Sequence, residues 1–413
     1  MLRYQNALLL ATCLLPLFAA RASVAAAPSA EKILTGGQLS TEKAALKKYI
    51  EKNQVDDRER FGWGVVQFVS AVENMSQSFY DCGVRDHREQ LPFLRIVSAE
   101  NPDPQATSYQ DVRNILQRFI DDLKQAEQTL AKVSDPAVKL PLPLFQIQLD
   151  LNGDGETTEQ ETLGAVAAQL RLAQTPAAKE AKSEPIVVAF DYADCLWLRG
   201  YCHLLCGIAE TYLAYDMEEM HRRVGYLFFE KIDSPHAYLA DAKHLFGLGG
   251  DVDVVDVIAF IHLINFRVKD ADRMQAAHAH FLQVIALSRR TWDAIQTEED
   301  NDREWIPGTK QDSAVSTMKM TPKMLKGWRR FLDEFEAILQ GEKLVSHPRI
   351  TDGRAINVKK VFFEPREFDL VMWIHGSNAT PFLEKGPTTE ARFWNRLNET
   401  YGGEFYNFAI WFN

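Results

Sequence analysis

The sequence has few cysteines, no long apolar run and no excess of basic residues. Only 5 of its 413 residues are cysteines, too few for a disulfide framework in a chain of this length. No stretch reaches the ~18 consecutive apolar residues typical of a membrane-spanning helix. Asp and Glu number 57 against 46 Lys and Arg, which argues against nucleic acid and anionic membrane surfaces as partners. We therefore expect an acidic, soluble protein with no stable membrane span.

The first 25 residues have the pattern of a secretory signal peptide. Arg3 provides a short positive region, and residues 7–18 form an apolar stretch that is too short to span a membrane comfortably. Small residues follow and place cleavage after Ala22 or Ala25, with an uncleaved N-terminal anchor as the alternative. Cleavage removes two of the 46 basic residues and no acidic one, so the mature net charge is near −13. The pattern predicts a secreted protein, periplasmic or extracellular.

Apolar residues spaced three or four apart predict a mainly α-helical protein, built as an irregular multi-helix array. The predicted helices span residues 41–50, 61–80, 108–132, 157–172, 190–216, 218–229, 252–266, 278–295, 321–339 and 388–397. An apolar, aromatic run at 405–412 completes the chain. Residues 26–40 are predicted to be a disordered lead-in, and residues 41–345 a helical domain. β-rich runs at 356–364 and 368–375 predict a small α+β C-terminal segment, residues 346–413, packed on that domain.

The most specific pattern is the twelve-residue stretch that runs from Asp150 to Glu161. Asp150, Asn152 and Asp154 place oxygen-bearing side chains at positions 1, 3 and 5. Gly155 stands at position 6, where a sharp turn needs positive φ, and Glu161 stands at position 12, where a carboxylate can bind through both oxygens. This pattern resembles the calcium loop of the EF-hand family.

The EF-hand resemblance implies a metal site for one Ca²⁺ ion. Its expected ligands are Asp150, Asn152, Asp154, Glu156, Thr158 and Glu161. In that family the residue at position 7 binds through its backbone carbonyl, and the residue at position 9 binds through a hydroxyl or a bridging water. Three carboxylates repel one another without a cation, so we expect the loop to be loose or unfolded when empty. The alternative is an Asp/Asn/Gly turn that binds nothing.

Two departures from the EF-hand pattern favour a structural role over a sensor role. Position 8 is Thr157, where EF-hands carry an aliphatic residue that pairs with a second loop, and the sequence contains no second match. The segment 145–149 alternates with period two, which predicts an extended entry or one short helical turn. We therefore expect a solitary calcium-binding clamp in an exported, helical binding or scaffold protein. The overall organisation resembles exported bacterial proteins, which implies no activity and does not identify a protein or small-molecule partner.

Two weaker patterns leave alternatives open. Cys195, Cys202 and Cys206 form one stripe of a predicted helix, which is typical of a buried face. A disulfide from Cys82 to one of them, or a thiolate metal site with His203, are the alternatives.

Acidic residues also precede histidines by three positions in the region 218–262. The pairs are Glu218/His221, Asp233/His236 and Asp241/His244. Such pairs hold metals in some helical bundles, so a metal-dependent hydrolase or oxidase using this region is the alternative function. The acidic run at 300–304 is interpreted as a solvated loop, with a second, looser calcium contact as its alternative. No catalytic residues can be assembled from the sequence, and a binding protein is preferred to an enzyme.

Overall fold

The computed structural model describes residues 28–37, 39–85, 100–169, 185–242, 245–247, 252–315 and 319–412. The predicted signal peptide lies outside these residues. The described chain is mainly α-helical with small antiparallel β pieces, as the sequence predicts. The helices are α1 (Ala30–Thr35), α2 (Leu39–Lys52), α3 (Asp57–Asp81), α4 (Tyr109–Leu130), α5 (Leu163–Gln169), α6 (Tyr192–Ala214), α7 (Glu218–Val224), α8 (Val254–Leu263), α9 (Ala271–Thr297), α10 (Pro322–Leu339), α11 (Val358–Phe363), α12 (Leu370–His375), α13 (Ala391–Thr400) and α14 (Phe405–Phe412).

The strands are short and pair antiparallel in three small sheets. They are β1 (Lys139–Leu142), β2 (Val188–Asp191), β3 (Tyr215–Asp216), β4 (Asn265–Val268), β5 (Ala355–Ile356), β6 (Phe368–Asp369) and β7 (Leu383–Glu384). The pairs are β1 with β2, β4 with both β3 and β6, and β5 with β7. The first pair sets Lys139 directly opposite Asp191, which brings a cation beside the start of α6.

Helix α6 is the spine of the helical array, because it packs along both α9 and α4, and α4 in turn packs on α3. Its cysteine stripe lies in the core: Cys195, Cys202 and Cys206 are buried. All three are free, and so is the buried Cys82, so none of the suggested disulfides is formed. Burial raises the pKa of the Cys195 and Cys206 thiols to about 12, which disfavours the thiolate form that a metal site needs. The buried-face interpretation is confirmed.

Side-chain caps fix where the main helices begin. Ser108 caps α4 as predicted: its hydroxyl accepts the N–H of Asp111, whose carboxylate accepts the N–H of Ser108. Asp191 caps α6 in the same reciprocal way with Asp194. Such caps satisfy backbone donors that the first helical turn leaves free.

The two C-terminal runs predicted to be β-rich are mostly helical, which corrects that prediction at the residue level. Asn357 accepts the N–H of Lys360 and opens α11, and Asp369 accepts the N–H of Met372 and opens α12. Gly376, at φ 100°, ends α12. These caps outweigh the strand preference of β-branched and aromatic residues, leaving only two-residue strands. The segment still contains both helices and strands, as its coarser description requires.

The predicted disordered lead-in is partly helical, which corrects the prediction for α1. Ser29 accepts the N–H of Lys32 and caps the helix. Ile33 and Leu34 are buried against the core, each contributing about 1.5–3 kcal/mol of apolar burial. The sequence indicated this helix only through the apolar pair Ile33 and Leu34, which a disordered segment would expose to water.

No helix among the described residues is both long enough and apolar enough to cross a membrane. This agrees with the expectation of no stable span within the part of the chain that the structure covers.

Candidate functional site

The loop at 150–161 is shaped by two glycines and by the carboxylate of its first residue. Gly153 and Gly155 have φ of 76° and 82°, a region that glycine adopts without the cost imposed by a side chain. Asp150 accepts the N–H of Gly153 on Oδ1 (2.7 Å) and the N–H of Gly155 on Oδ2 (3.0 Å). The carboxylate predicted at position 1 therefore turns into the loop and lies at its centre.

The side chains of Asn152 and Asp154 also accept backbone N–H groups of the loop. Oδ1 of Asn152 accepts the Asp154 N–H (3.0 Å), and Oδ1 of Asp154 accepts the Glu156 N–H (2.8 Å). The Asn152 amide also donates to Oδ2 of Asp154 (2.8 Å). The side chains of positions 1, 3 and 5 thus each accept a backbone N–H of the same tight turn.

The carboxylate at position 12, Glu161, is buried and accepts hydrogen bonds from both halves of the loop. Its Oε1 accepts the N–H of Leu151 (3.0 Å), and its Oε2 accepts the N–H (3.0 Å) and the hydroxyl (2.9 Å) of Thr158. Glu161 therefore joins the two halves of the loop, whereas among the described residues the carboxylates of the loop do not form a set within 4.8 Å of one another. Glu156 is exposed, and its proposed contribution is through its backbone.

The segments that flank the loop are not the helix pair of an EF-hand. The entry is one 3₁₀ turn, Leu144–Gln146, followed by extended residues, which is among the forms the sequence predicted. The exit is a second 3₁₀ turn, Glu159–Glu161, and α5 begins only at Leu163, which corrects the predicted helix start at 157 or 158. Leu149 donates to the carbonyl of Glu161 (2.9 Å), so the two ends of the loop pair with each other.

Helix α3 supplies two residues that the sequence analysis missed, Glu73 and Gln77. Oε2 of Glu73 accepts the backbone N–H of Asp150 (3.0 Å), and Nε2 of Gln77 donates to the backbone oxygen of Asp150 (2.7 Å). The sequence carried one indication of Glu73: it follows Val66 and Val69 at helical spacing and so lies on the buried face of α3. A carboxylate on a core-facing stripe needs a partner, and the sequence did not show which one.

Glu73 makes the electrostatics of the site unusual. The residue is 2% exposed, and within the described chain its carboxylate forms no ion pair. Burial, together with the charges of Asp150 and Glu161, raises the pKa of Glu73 to about 7, although the Asp150 N–H and the charge of Lys43 oppose the rise. Asp150 and Glu161 thus lie close enough to Glu73 for their charges to act on it, and carboxylate oxygens are donors that calcium prefers.

A second acidic group, which we call the acidic cluster, consists of Asp191, Asp194, Glu298 and Glu304. Carboxylate oxygens of Asp191, Glu298 and Glu304 lie within 4.8 Å of one another. Nζ of Lys139 lies 3.5 Å from Oδ2 of Asp191, so this cluster contains its own cation. The sequence pointed to Glu304 only through the acidic run at 300–304, and gave no sign that α6 and β1 would complete the group.

The acidic cluster strongly perturbs its members. Burial, then the charge of Asp191, raises the pKa of Asp194 well above its usual range and the pKa of Glu298 to about 7. The pKa of Glu304 is raised by the same causes. Burial lowers the pKa of Lys139, but the Asp300 hydrogen bond and the charge of Asp191 outweigh it and raise the pKa. Lys139 is therefore charged at neutral pH, beside carboxylates that hold protons more tightly than usual.

The histidines of region 218–262 do not form a comparable group. His221 is hydrogen-bonded to the backbone oxygen of Thr107 (3.0 Å), and His262 is exposed. His244 lies outside the described residues. Among the described residues, the acidic cluster is the one set of three or more candidate ligands at metal-binding spacing.

A different histidine contact joins α6 to α9. Nδ1 of His203 lies 2.7 Å from Nδ1 of His280. Burial and the neighbouring His203 lower the pKa of His280 to about 4, so His280 is neutral at physiological pH. Nε2 of His203 faces Glu127, which also pairs with Arg199, and this arrangement is a hydrogen-bonded helix contact.

Comparisons with known proteins provide no family in which to place the site. No protein-family model, no curated protein and no solved structure matches this chain. The resemblance to the EF-hand family therefore rests on residues 150–161, and the use of the loop has to be argued from its own geometry and charge.

Proposed function

We propose that this protein is an exported calcium-binding protein in which one Ca²⁺ ion at residues 150–161 acts as a structural clamp. The observation that carries the proposal is that two buried carboxylates, Glu161 and Glu73, contact the loop from its far end and from α3, with no ion pair to either among the described residues. Buried carboxylates in proteins are normally paired with a cation or bind a metal. Calcium would supply that missing positive charge.

The residues proposed to hold the ion are those of the EF-hand pattern. Asp150, Asn152 and Asp154 offer side-chain oxygens, and Glu161 offers both carboxylate oxygens from the far end of the loop. Glu156 offers its backbone carbonyl and Thr158 its hydroxyl or a bridging water. The set gives three carboxylates and several neutral oxygens, which suits the flexible coordination of Ca²⁺ better than the strict octahedron of Mg²⁺.

The surroundings of the loop support a clamp rather than a sensor. Asp150 is hydrogen-bonded to α3, the backbone N–H of Gln148 donates to the backbone oxygen of Leu34 in α1 (2.8 Å), and the two ends of the loop pair with each other. Sensor loops instead separate two helices that swing apart on binding. An ion at this loop would fasten α1, α3 and α5 to one another. Extracellular calcium is abundant enough to fill even a weak site of this kind.

Thermal unfolding in calcium and in EDTA tests this proposal. Calcium at about 100 times its Kd should stabilise the folded chain by about 2.7 kcal/mol, seen as a higher Tm. The same concentration of Mg²⁺ should stabilise it less. The proposal fails if Tm is equal in calcium and EDTA and calorimetry detects no calcium binding.

The alternative remains a metal-dependent hydrolase or oxidase that uses region 218–262. Elemental analysis of the purified chain separates the two functions. Zinc or iron at one ion per chain, lost in a His221→Ala variant, would favour the enzyme, whereas calcium alone favours the clamp.

A further inference from the structure

Helix α3 holds both backbone polar groups of the first loop residue. Glu73 and Gln77 are four residues apart and therefore lie on one face of the helix. Glu73 accepts the N–H of Asp150 (3.0 Å), and Gln77 donates to its carbonyl oxygen (2.7 Å). In an EF-hand the entering helix fixes the first ligand, and here that helix is replaced by a 3₁₀ turn. Helix α3 thus fixes the peptide that carries the Asp150 carboxylate.

The charge of Glu73 is an independent indication that a cation belongs at this place. Glu73 is no part of the twelve-residue pattern, yet it is a buried carboxylate directed at the loop. Its second oxygen, Oε1, accepts no hydrogen bond among the described residues. Lys43 of α2 acts on it only from beyond ion-pair distance. Burial of a carboxylate that has one hydrogen bond and no ion pair costs free energy, and a nearby cation would offset that cost.

We propose that Glu73 and Gln77 are positioning residues of the calcium site, and that the negative charge of Glu73 strengthens binding of the ion. This inference rests on the proposed function. Gln77 orients Asp150 through its carbonyl oxygen. Glu73 orients Asp150 by accepting the backbone N–H of Asp150, and its carboxylate is the fourth one near the ion. Calcium binding would therefore be coupled directly to the packing of α3 in the core.

Three variants separate orientation from charge. Glu73→Gln retains an oxygen that can accept the Asp150 N–H but removes the charge. Glu73→Leu removes both, and Gln77→Leu removes the hydrogen bond to the carbonyl oxygen. By calorimetric titration of the full chain with CaCl₂, we expect Kd to rise about 3–10-fold in Glu73→Gln. We expect a rise of about 10–100-fold in Glu73→Leu and about 10-fold in Gln77→Leu, as for other residues that orient metal ligands.

A matched control is Glu334→Gln, which changes the net charge equally at another buried glutamate. Glu334 belongs to α10, outside the loop pattern, and is paired with Lys343. This variant should lower Tm by the same amount in calcium and in EDTA, and it should leave the calcium Kd at the wild-type value.

The Tm in EDTA distinguishes positioning from a purely structural role. Because Glu73→Gln removes an uncompensated buried charge, its Tm in EDTA should equal or exceed that of the wild type, while its gain on adding calcium shrinks. A wild-type Kd in Glu73→Gln and Glu73→Leu would overturn this inference alone. Absence of calcium binding by the wild-type chain would overturn the proposed function and this inference with it.

Discussion

The loop at residues 150–161 and the acidic cluster are alike in charge and differ in whether the fold supplies a cation. Both bring several carboxylates together, and both contain a glutamate whose pKa is raised to about 7: Glu73 at the loop and Glu298 in the cluster. In the cluster, the antiparallel pairing of β1 with β2 sets Lys139 opposite Asp191. At the loop, no described strand or helix brings a lysine or arginine into ion-pair distance.

We call the acidic cluster the closed site, because the fold supplies it with a lysine. We call the loop at 150–161 the open site, because no lysine or arginine of the described residues pairs with it. The lysine of the acidic cluster is part of the fold, so one positive charge is in place as soon as the strands pair. Under the proposed function, the charge at the loop would be balanced by an ion from solution. Under the proposed function, the two groups of acidic residues have different uses, and the presence or absence of an internal cation distinguishes them.

The largest expected effect comes from removing the internal cation. Lys139→Met leaves the carboxylates of Asp191 and its neighbours unbalanced, and we expect a loss of about 3 kcal/mol at pH 8. This figure lies at the low end for a buried pair because the Lys139 side chain is 35% exposed. Urea unfolding measures it. Lys47→Met, at an exposed i,i+4 pair with Glu51, is the control and should change stability by less than about 0.5 kcal/mol. Equal losses in both variants would contradict a closed site.

The next effect comes from removing a carboxylate of the open site. Glu161→Gln should abolish most of the calcium-dependent stabilisation, which is about 2–3 kcal/mol at saturating calcium. In EDTA the variant should itself lose about 1–3 kcal/mol, because its amide nitrogen cannot accept the backbone N–H that one carboxylate oxygen of Glu161 accepts, so the gain on adding calcium is the quantity to compare. Glu159→Gln is the matched control, since Glu159 lies in the same 3₁₀ turn and is exposed. Full calcium stabilisation in Glu161→Gln would remove this residue from the site.

The acidic cluster should respond to pH in the direction set by Glu298. Its pKa is raised from 4.5 to about 7, so the folded state holds this proton more tightly than the unfolded state. The stabilisation is complete below pH 4.5 and is lost as pH rises through 7. Glu298→Gln should therefore be more stable than the wild type at pH 8, by on the order of 1–2 kcal/mol after solvent screening, and equal to it near pH 5.

Comparing the variant with the wild type at each pH reports Glu298 together with the carboxylates on which its charge acts, such as Asp194. His280, with its lowered pKa, loses stability in the opposite direction as pH falls below 6.5, and it does so equally in both proteins. A Glu298→Gln difference that is constant from pH 5 to pH 8, measured by thermal unfolding, would contradict the raised pKa.

The sequence predicts more of the fold than of the site, for reasons that are visible at particular residues. The helices follow from local spacing and local caps, as Ser108 and α4 show. The loop pattern is likewise local, within twelve residues. Glu73 lies 77 positions from Asp150, and Lys139 lies 52 positions from Asp191. Such pairings depend on packing and strand register, which a single sequence does not display.

The local sequence pattern also predicted the wrong secondary structure where a helix cap competed with strand propensity. The aromatic and β-branched residues after Asn357 and Asp369 favour strands, but one side-chain hydrogen bond at each start is enough to select a helix. Asn and Asp are common in turns as well as at caps, so the sequence alone does not distinguish the two uses.

The smallest expected effect tests whether the open site is loose when empty. Gly155 has φ of 82°, and a Cβ added there would meet nothing within 4 Å, so Gly155→Ala costs only the backbone strain of about 1 kcal/mol. Gly353 is a matched control, because it also has φ of 82° and equally open surroundings. If the empty loop relaxes, Gly155→Ala should weaken calcium binding about 5-fold and leave the Tm in EDTA unchanged. Gly353→Ala should lower Tm equally with and without calcium. An equal Tm loss for Gly155→Ala in both conditions would mean that the loop keeps its shape without the ion, and that calcium binds a preformed site.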